Sequence, residues 1–168
     1  MINMVSADAV QELLDREAIR TVLGRYCRAV DRGDAELMRT VYWPDATEWH
    51  GSFVGLSMDF VDLAVLAEGY ESLWHSLGTI NIDLQGSTAY SEAYFSSRCV
   101  PIGRSNGARS LRLHEGRYID RFEKREGEWR VADRKIVSEF TDQRVLNETG
   151  EVFLASKRGA EDLSYLRD

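Results

Sequence analysis

Asp31 and His75 are the residue types from which a proton-transfer pair is built. A neutral imidazole takes a proton on one ring nitrogen. A carboxylate bonded to the other nitrogen fixes the tautomer and stabilises the imidazolium. Such a general base typically contributes ~10²–10⁴-fold to a rate. Asp31 follows an apolar helical stripe that includes Cys27 and Val30. A carboxylate at a helix C-terminus opposes the macrodipole, so helix stability does not account for it. A turn-forming aspartate before Arg32 and Gly33 is the plain alternative. His75 opens a strand in the run LWHSLGT. Simple alternation puts it on a mixed face with Leu77, Thr79 and Asn81, and a bulge at Gly78 changes that phase. A lone histidine is also ordinary structure. His50, beside Gly51 in an expected hairpin, and His114, on a strand face with Tyr118 and Phe122, compete for the same role.

Two further residues could complete such a site. Tyr26 lies on the first helix beside the apolar stripe, where its hydroxyl can donate to a developing oxyanion or leaving oxygen. Its alternative is a core aromatic. Arg134 shares a strand face with Ala132, Ile136 and Phe140. An arginine there needs an acidic partner or an anionic ligand, so it either forms a structural ion pair or holds a polar end of a substrate. Trp49, Phe53, Trp74, His114, Tyr118 and Phe140 are the expected substrate-binding walls. Aromatic walls point to a hydrophobic, ring-bearing small molecule.

These residues need elements to position them. Val10, Leu13, Leu14, Ile19, Val22, Leu23, Cys27 and Val30 recur at helical steps, with Ser6 or Asp8 as the cap and Gly33 as the stop. Asp34 caps a short second helix reaching about Tyr42. Pro44 and Asp45 read as a turn, 47–54 as a hairpin broken at Gly51, and 58–73 as a third helix weakened at Gly69. From residue 74 the period changes. The segments 74–85, 88–100, 109–124 and 128–141 are rich in β-branched and aromatic residues and are separated by turn residues. They predict an antiparallel meander. Helices followed by one long sheet make an α+β cone, a strongly curved sheet closed by three helices from the N-terminal half. The expected unit is one domain over 1–168, with its core at about 8–144. The polar tail after it covers the mouth, reaches a neighbouring subunit or hangs free.

Bulk properties narrow the partners. The net charge of -7 disfavours nucleic acid and anionic membranes. The two cysteines stand outside any CxxC motif, so zinc and disulfide frameworks are not expected, and Cys27 reads as a buried thiol. No basic-then-apolar leader and no membrane-spanning run is visible, which makes a cytoplasmic location the expectation. GxGxxG, GxxxxGK[ST] and HExxH are absent from the sequence, and the letters GxSxG at Gly103 to Gly107 fall in an expected turn between two strands, not at a strand-to-helix elbow.

The runs IRTVLGRYCRAVDRGD, YWPDATEW, WHSLGTINIDLQGSTAYSEAYF and GRYIDRFEKREGEWRVADRKIVSEFTDQR resemble, in order and spacing, the SnoaL-like branch of the nuclear transport factor 2-like superfamily. The resemblance covers roughly residues 8 to 144. Within that branch the chain is similar to bile-acid 7α-dehydratases, hexachlorocyclohexane dehydrochlorinases and, more distantly, scytalone dehydratases. It implies the cone fold and a homo-oligomer, dimer or trimer. The shared device is an aspartate orienting a histidine, which falls on Asp31 and His75. It also implies Tyr26 and Arg134 as catalytic residues, with Glu92 or Arg98 in the place of a mid-strand acid. The implied function is cofactor-independent elimination of the dehydratase kind. Cofactorless carbon–carbon cleavage of a lignin-derived diaryl compound, isomerisation of the ketosteroid-isomerase kind and a non-catalytic binding or assembly module are the alternatives.

Overall fold

A computed structural model describes residues 6–65, 69–103, 107–147, 154 and 156–166. The first helix, α1, runs Ala7–Arg32; the Ser6 side chain accepts from the Ala9 N–H, and Gly33 ends the helix in the left-handed region at φ 68°. Only its second half is core. Ile19, Val22, Leu23, Tyr26 and Cys27 are buried, while Val10, Leu13 and Leu14 are exposed, so the stripe expected from Val10 onward begins later. Asp34 caps α2, Ala35–Arg39, through the Leu37 N–H. This helix stops short of the expected Tyr42, because Tyr42 already begins a strand.

That strand, β1, spans Tyr42–His50 and turns at Gly51 into β2, Phe53–Leu56. The hairpin is as expected, but Pro44 and Asp45 lie inside β1, within an irregularity of its register. Helix α3 covers Ser57–Val65, and Tyr70 is already strand. The helix expected over 58–73 is therefore shorter. Its stretch at 66–68 lies outside the described residues, as does 104–106 of the expected turn at 103–107.

Four long strands follow: β3 Tyr70–Gln85, β4 Thr88–Pro101, β5 Ser110–Arg125 and β6 Glu128–Val145. They form the expected antiparallel meander. The sheet order is β2-β1-β6-β5-β4-β3, a curved and mixed sheet that does not close. The mixture comes from β1, which pairs parallel to β6. Helix α1 packs across the concave side against β3 and β6, and α3 packs on β1.

Two bulges decide what faces inward. The β3–β4 register shifts between Leu77 and Ile80. Leu73 and Leu77 pack on the core before it, and Ile80, Ile82 and Leu84 after it. One extra residue thus puts both halves of β3 on the same side, and His75 faces in with the first half. The second shift pairs Glu115 with Phe140 but Gly116 with Ser138. A Cβ at Gly116 meets the Val137 carbonyl oxygen, and the Phe95 ring at 2.9 Å. Gly116→Ala is therefore expected to cost about 1–3 kcal/mol in urea unfolding, the usual range for overpacking.

The tail after β6 folds back in part. Arg158 Nη2 donates to the Val30 carbonyl at 3.4 Å, Arg32 pairs with Asp162 at 3.2 Å, and the Tyr165 hydroxyl donates to Asp34 at 2.7 Å. Two arginines thus sit at the negative end of α1, where cations are favoured. No described helix is long and apolar enough to cross a membrane.

Candidate active site

Helix α1 delivers Asp31 at its last turn, and β3 delivers His75 near its start. His75 Nδ1 lies 2.6 Å from Asp31 Oδ1, and the His75 backbone N–H donates to Oδ2 at 3.0 Å. Both carboxylate oxygens are occupied, and the two side chains are only 9% and 10% exposed. This contact answers the macrodipole problem: the carboxylate is held by two donors from another element. With Nδ1 engaged, Nε2 is the nitrogen left to accept a proton, and it makes no hydrogen bond among the described residues.

His75 opens onto a cavity of about 720 Å³, a size that suits a small organic ligand. Tyr26, Phe53 and His114 line it, and so does His50. The three histidines of the chain therefore share one cavity. Burial pushes the Tyr26 phenol well above its ordinary value, so it stays a protonated donor. Burial also holds His114 below its ordinary value, with the other two histidines adding to the shift. Its Nε2 is 3.0 Å from the Ser138 hydroxyl, and Phe95 packs edge-on against its ring. Desolvation pushes the buried Cys27 thiol up to about 12, in keeping with an inert core cysteine.

Several expected residues lie elsewhere. Arg134 does not line the cavity. It is fully buried and grips both Asp120 oxygens at 2.8 and 2.7 Å. Its guanidinium lies 4.1 Å from the Tyr26 ring centroid and 4.5 Å from that of Tyr118. Burial raises the Asp120 carboxyl and Arg134 opposes that rise, while the carboxylate keeps Arg134 charged. The arginine is thus an ion pair beneath the site, and the cation on the cavity wall is Arg112. Tyr118 is also core, stacked on Phe95 at 4.3 Å.

Trp49, Trp74 and Phe140 are exposed and lie outside the cavity. Trp49 and Trp74 each neighbour an inward histidine in sequence, and strand alternation turns them outward. Phe140 is turned out by the bulge opposite Glu115. Glu92 is bound to Arg117 at 2.7 Å, and Arg98 lies over the Trp74 ring, so neither reaches His75.

One functional-looking residue was not singled out from the sequence. Glu48 is 1% exposed, and its Oε1 lies 3.2 Å from His50 Nδ1. Its other oxygen, Oε2, is buried without a charged partner, and the Tyr42 phenol, pushed up by burial and by the charge and hydrogen bonding of this carboxylate, is its neutral neighbour. The signal was present in the two-residue spacing: Ala46, Glu48 and His50 alternate onto the inner face of β1.

Comparison with solved structures finds the same architecture. A type 2 hexachlorocyclohexane dehydrochlorinase superposes with a TM-score of 0.74 at 17% identity, over 84% of this chain and 99% of that one. A scytalone dehydratase-like protein from Novosphingobium aromaticivorans gives 0.70 at 17% identity, over 84% and 97%. A type 3 hexachlorocyclohexane dehydrochlorinase from Novosphingobium barchaimii gives 0.69 at 15% identity, over 86% and 97%. No curated protein matches the chain. At these identities the structural likeness speaks for the fold, and the sequence speaks for the family. The SnoaL-like domain model matches residues 11–135, from the first helix to the strand that carries Arg134, and the chain belongs to that family.

Proposed function

We propose that the protein is a cofactor-independent lyase of the dehydratase kind, acting on a hydrophobic, ring-bearing small molecule. The observation that carries this reading is the Asp31–His75 contact of 2.6 Å at the wall of the cavity. His75 Nε2 takes a proton from a carbon beside an electron-withdrawing group. The C–H electrons pass to the electron-withdrawing group as an enolate-like carbanion, and their return forms the new double bond as the bond to the leaving group on the next carbon breaks. Asp31 holds the imidazolium that results. Phe53 and Phe60 on the cavity wall supply apolar surface for a ring and limit water around the imidazole. The dehydratase and dehydrochlorinase names among the structural neighbours support elimination as the reaction class.

A homo-oligomer remains part of the proposal. Trp74, Tyr94 and Phe140 leave apolar surface exposed, and light scattering counts the copies.

The test separates proton abstraction from expulsion. The protein is incubated in D2O with aryl-fused cyclic ketones that carry a β-hydroxyl group. The expected result is loss of water, with enzyme-dependent deuterium uptake beside the carbonyl of the recovered ketone where the enolate takes a deuteron back before expulsion. Deuterium uptake with a shifted double bond and no expelled group would make it an isomerase. Neither event, on these ketones or on polychlorinated cyclohexanes, would sink the lyase reading.

A further inference from the structure

The cavity holds a second histidine–carboxylate pair. Strand β1 alternates Ala46, Glu48 and His50 inward, so the carboxylate and the imidazole fall on one face two residues apart. The His50 ring stacks on Phe60 at 4.4 Å between centroids, which fixes its plane against α3. Nδ1 is engaged by Glu48, and Nε2 makes no hydrogen bond among the described residues. His50 itself lines the cavity.

The two pairs are not equivalent. Asp31 satisfies both of its oxygens with donors from His75. Glu48 meets His50 through Oε1; its buried Oε2 has no charged partner, and the Tyr42 phenol, a neutral group, is the other hydrogen-bonding neighbour of this carboxylate. A buried carboxylate in that state favours a charged partner strongly. Arg134 is near enough to share the field of Glu48 at Tyr26 and Tyr42, but its own hydrogen bonds go to Asp120 and the Tyr42 hydroxyl. The one cationic form in hydrogen-bond contact with Glu48 is therefore the His50 imidazolium. His114 is a poorer candidate for a free donor, since its Nε2 faces Ser138.

Their placement also differs. His75 stands on β3 and His50 on β1, separated in the sheet by β6, β5 and β4. They reach one cavity because the sheet curves, so they approach a ligand from different walls. Elimination uses two such points. A base is needed at the carbon that loses its proton, and an acid at the oxygen that departs from the next carbon.

We infer that His50 is the general acid that protonates a departing hydroxyl group, with Glu48 as its positioning residue. The inference rests on the lyase reading above. In its doubly protonated form His50 donates Nδ1–H to Glu48 and Nε2–H to the leaving oxygen. His75 takes the proton, and the electron pair left on the carbanion then forms the double bond. The C–O bond breaks with its pair on oxygen, and the His50 proton completes a molecule of water. Turnover returns the His75 proton to His50 through solvent. The inference also bears on substrate class: hydroxide leaves poorly without an acid, whereas chloride needs none.

The experiment compares two aryl-fused ring ketones that differ only in a β-hydroxyl or a β-chloro group, each corrected for its uncatalysed loss. The expected result is that His50→Gln lowers the ratio of hydroxide to chloride expulsion by roughly a hundredfold, the low end of general acid contributions. Glu48→Gln, isosteric and so suited to the buried position, lowers the same ratio by a smaller factor. His75→Gln lowers both expulsions together and leaves the ratio as it is. An unchanged ratio in a folded His50→Gln protein overturns the acid assignment while His75 stands as base. Loss of deuterium uptake in His50→Gln also overturns it, because the residue then acts at carbon. Absence of deuterium uptake and expulsion in the unsubstituted protein overturns the lyase reading and this one with it.

Discussion

Replacing His75 with alanine lowers proton abstraction roughly 10²–10⁴-fold, about 2.7–5.4 kcal/mol of barrier, while the protein stays folded. The side chain sits at a cavity wall, and its removal leaves the Asp31 contact with the His75 backbone N–H in place. Asp31→Asn has a comparable effect by a different route. An asparagine amide can present N–H to Nδ1, which favours the tautomer with its proton on Nε2 and removes the basic site. The measurement is deuterium uptake into a cyclic ketone, with near-ultraviolet circular dichroism as the control for packing. Added imidazole should restore part of the rate to His75→Ala by entering the space left behind, and none to Asp31→Asn. Full uptake by a folded His75→Ala protein would remove the histidine from the mechanism.

The second large effect concerns stability. Arg134→Ala and Asp120→Ala should each cost about 3–5 kcal/mol, since either change strands a buried charge. At roughly 2–4 °C per kcal/mol for a chain of this size, the melting temperature falls by about 6–20 °C. The double change to methionine and leucine should recover much of that loss, because it removes both charges and keeps apolar volume. Arg134 also packs against both the Tyr26 and Tyr118 rings, so its loss loosens the floor on which Tyr26 stands. Thermal denaturation of the two single variants and the double variant tests this. Equal stability of all three with the parent would mean that the pair is solvated.

Local signals marked Asp31 and His75 one at a time, and the resemblance to the SnoaL-like branch joined them as a pair. Gly33 stops the helix just beyond Asp31, and the change from helical to strand periodicity locates His75. Arg134 was visible as an arginine on an apolar face, but pattern alone left its partner open. Asp120 faces it one strand away, and cross-strand register is not written in either segment. Bulges were the main obstacle. The extra residue between Leu77 and Ile80 turns His75 inward, and the one before Phe140 turns that ring outward. Hydrophobic alternation marks a change of parity only loosely, so Gly78 could be named as a bulge site while Phe140 was misplaced. Glu48 escaped notice for another reason. A glutamate on a short strand is ordinarily solvated, and only the wrapping of the whole sheet buries it.

The parallel pairing of β1 with β6 was not legible at all, because it joins strands far apart in the chain. It also orders the events of synthesis. Strand β1 leaves the ribosome well before its inner neighbour β6 has been made. Until then its hydrogen-bonding edge is open, and Glu48 and His50 remain hydrated. Closing so long a loop is the slow kind of contact, and within the sheet it cannot precede the synthesis of β6. A nascent chain cut short before β6 therefore carries α1, the hairpin and much of the meander but lacks the strand that joins them. The open edge of β1 is then a point where a chaperone or a second nascent chain can bind. Arrival of the final strand converts a set of separately formed pieces into a ligand-sized chamber.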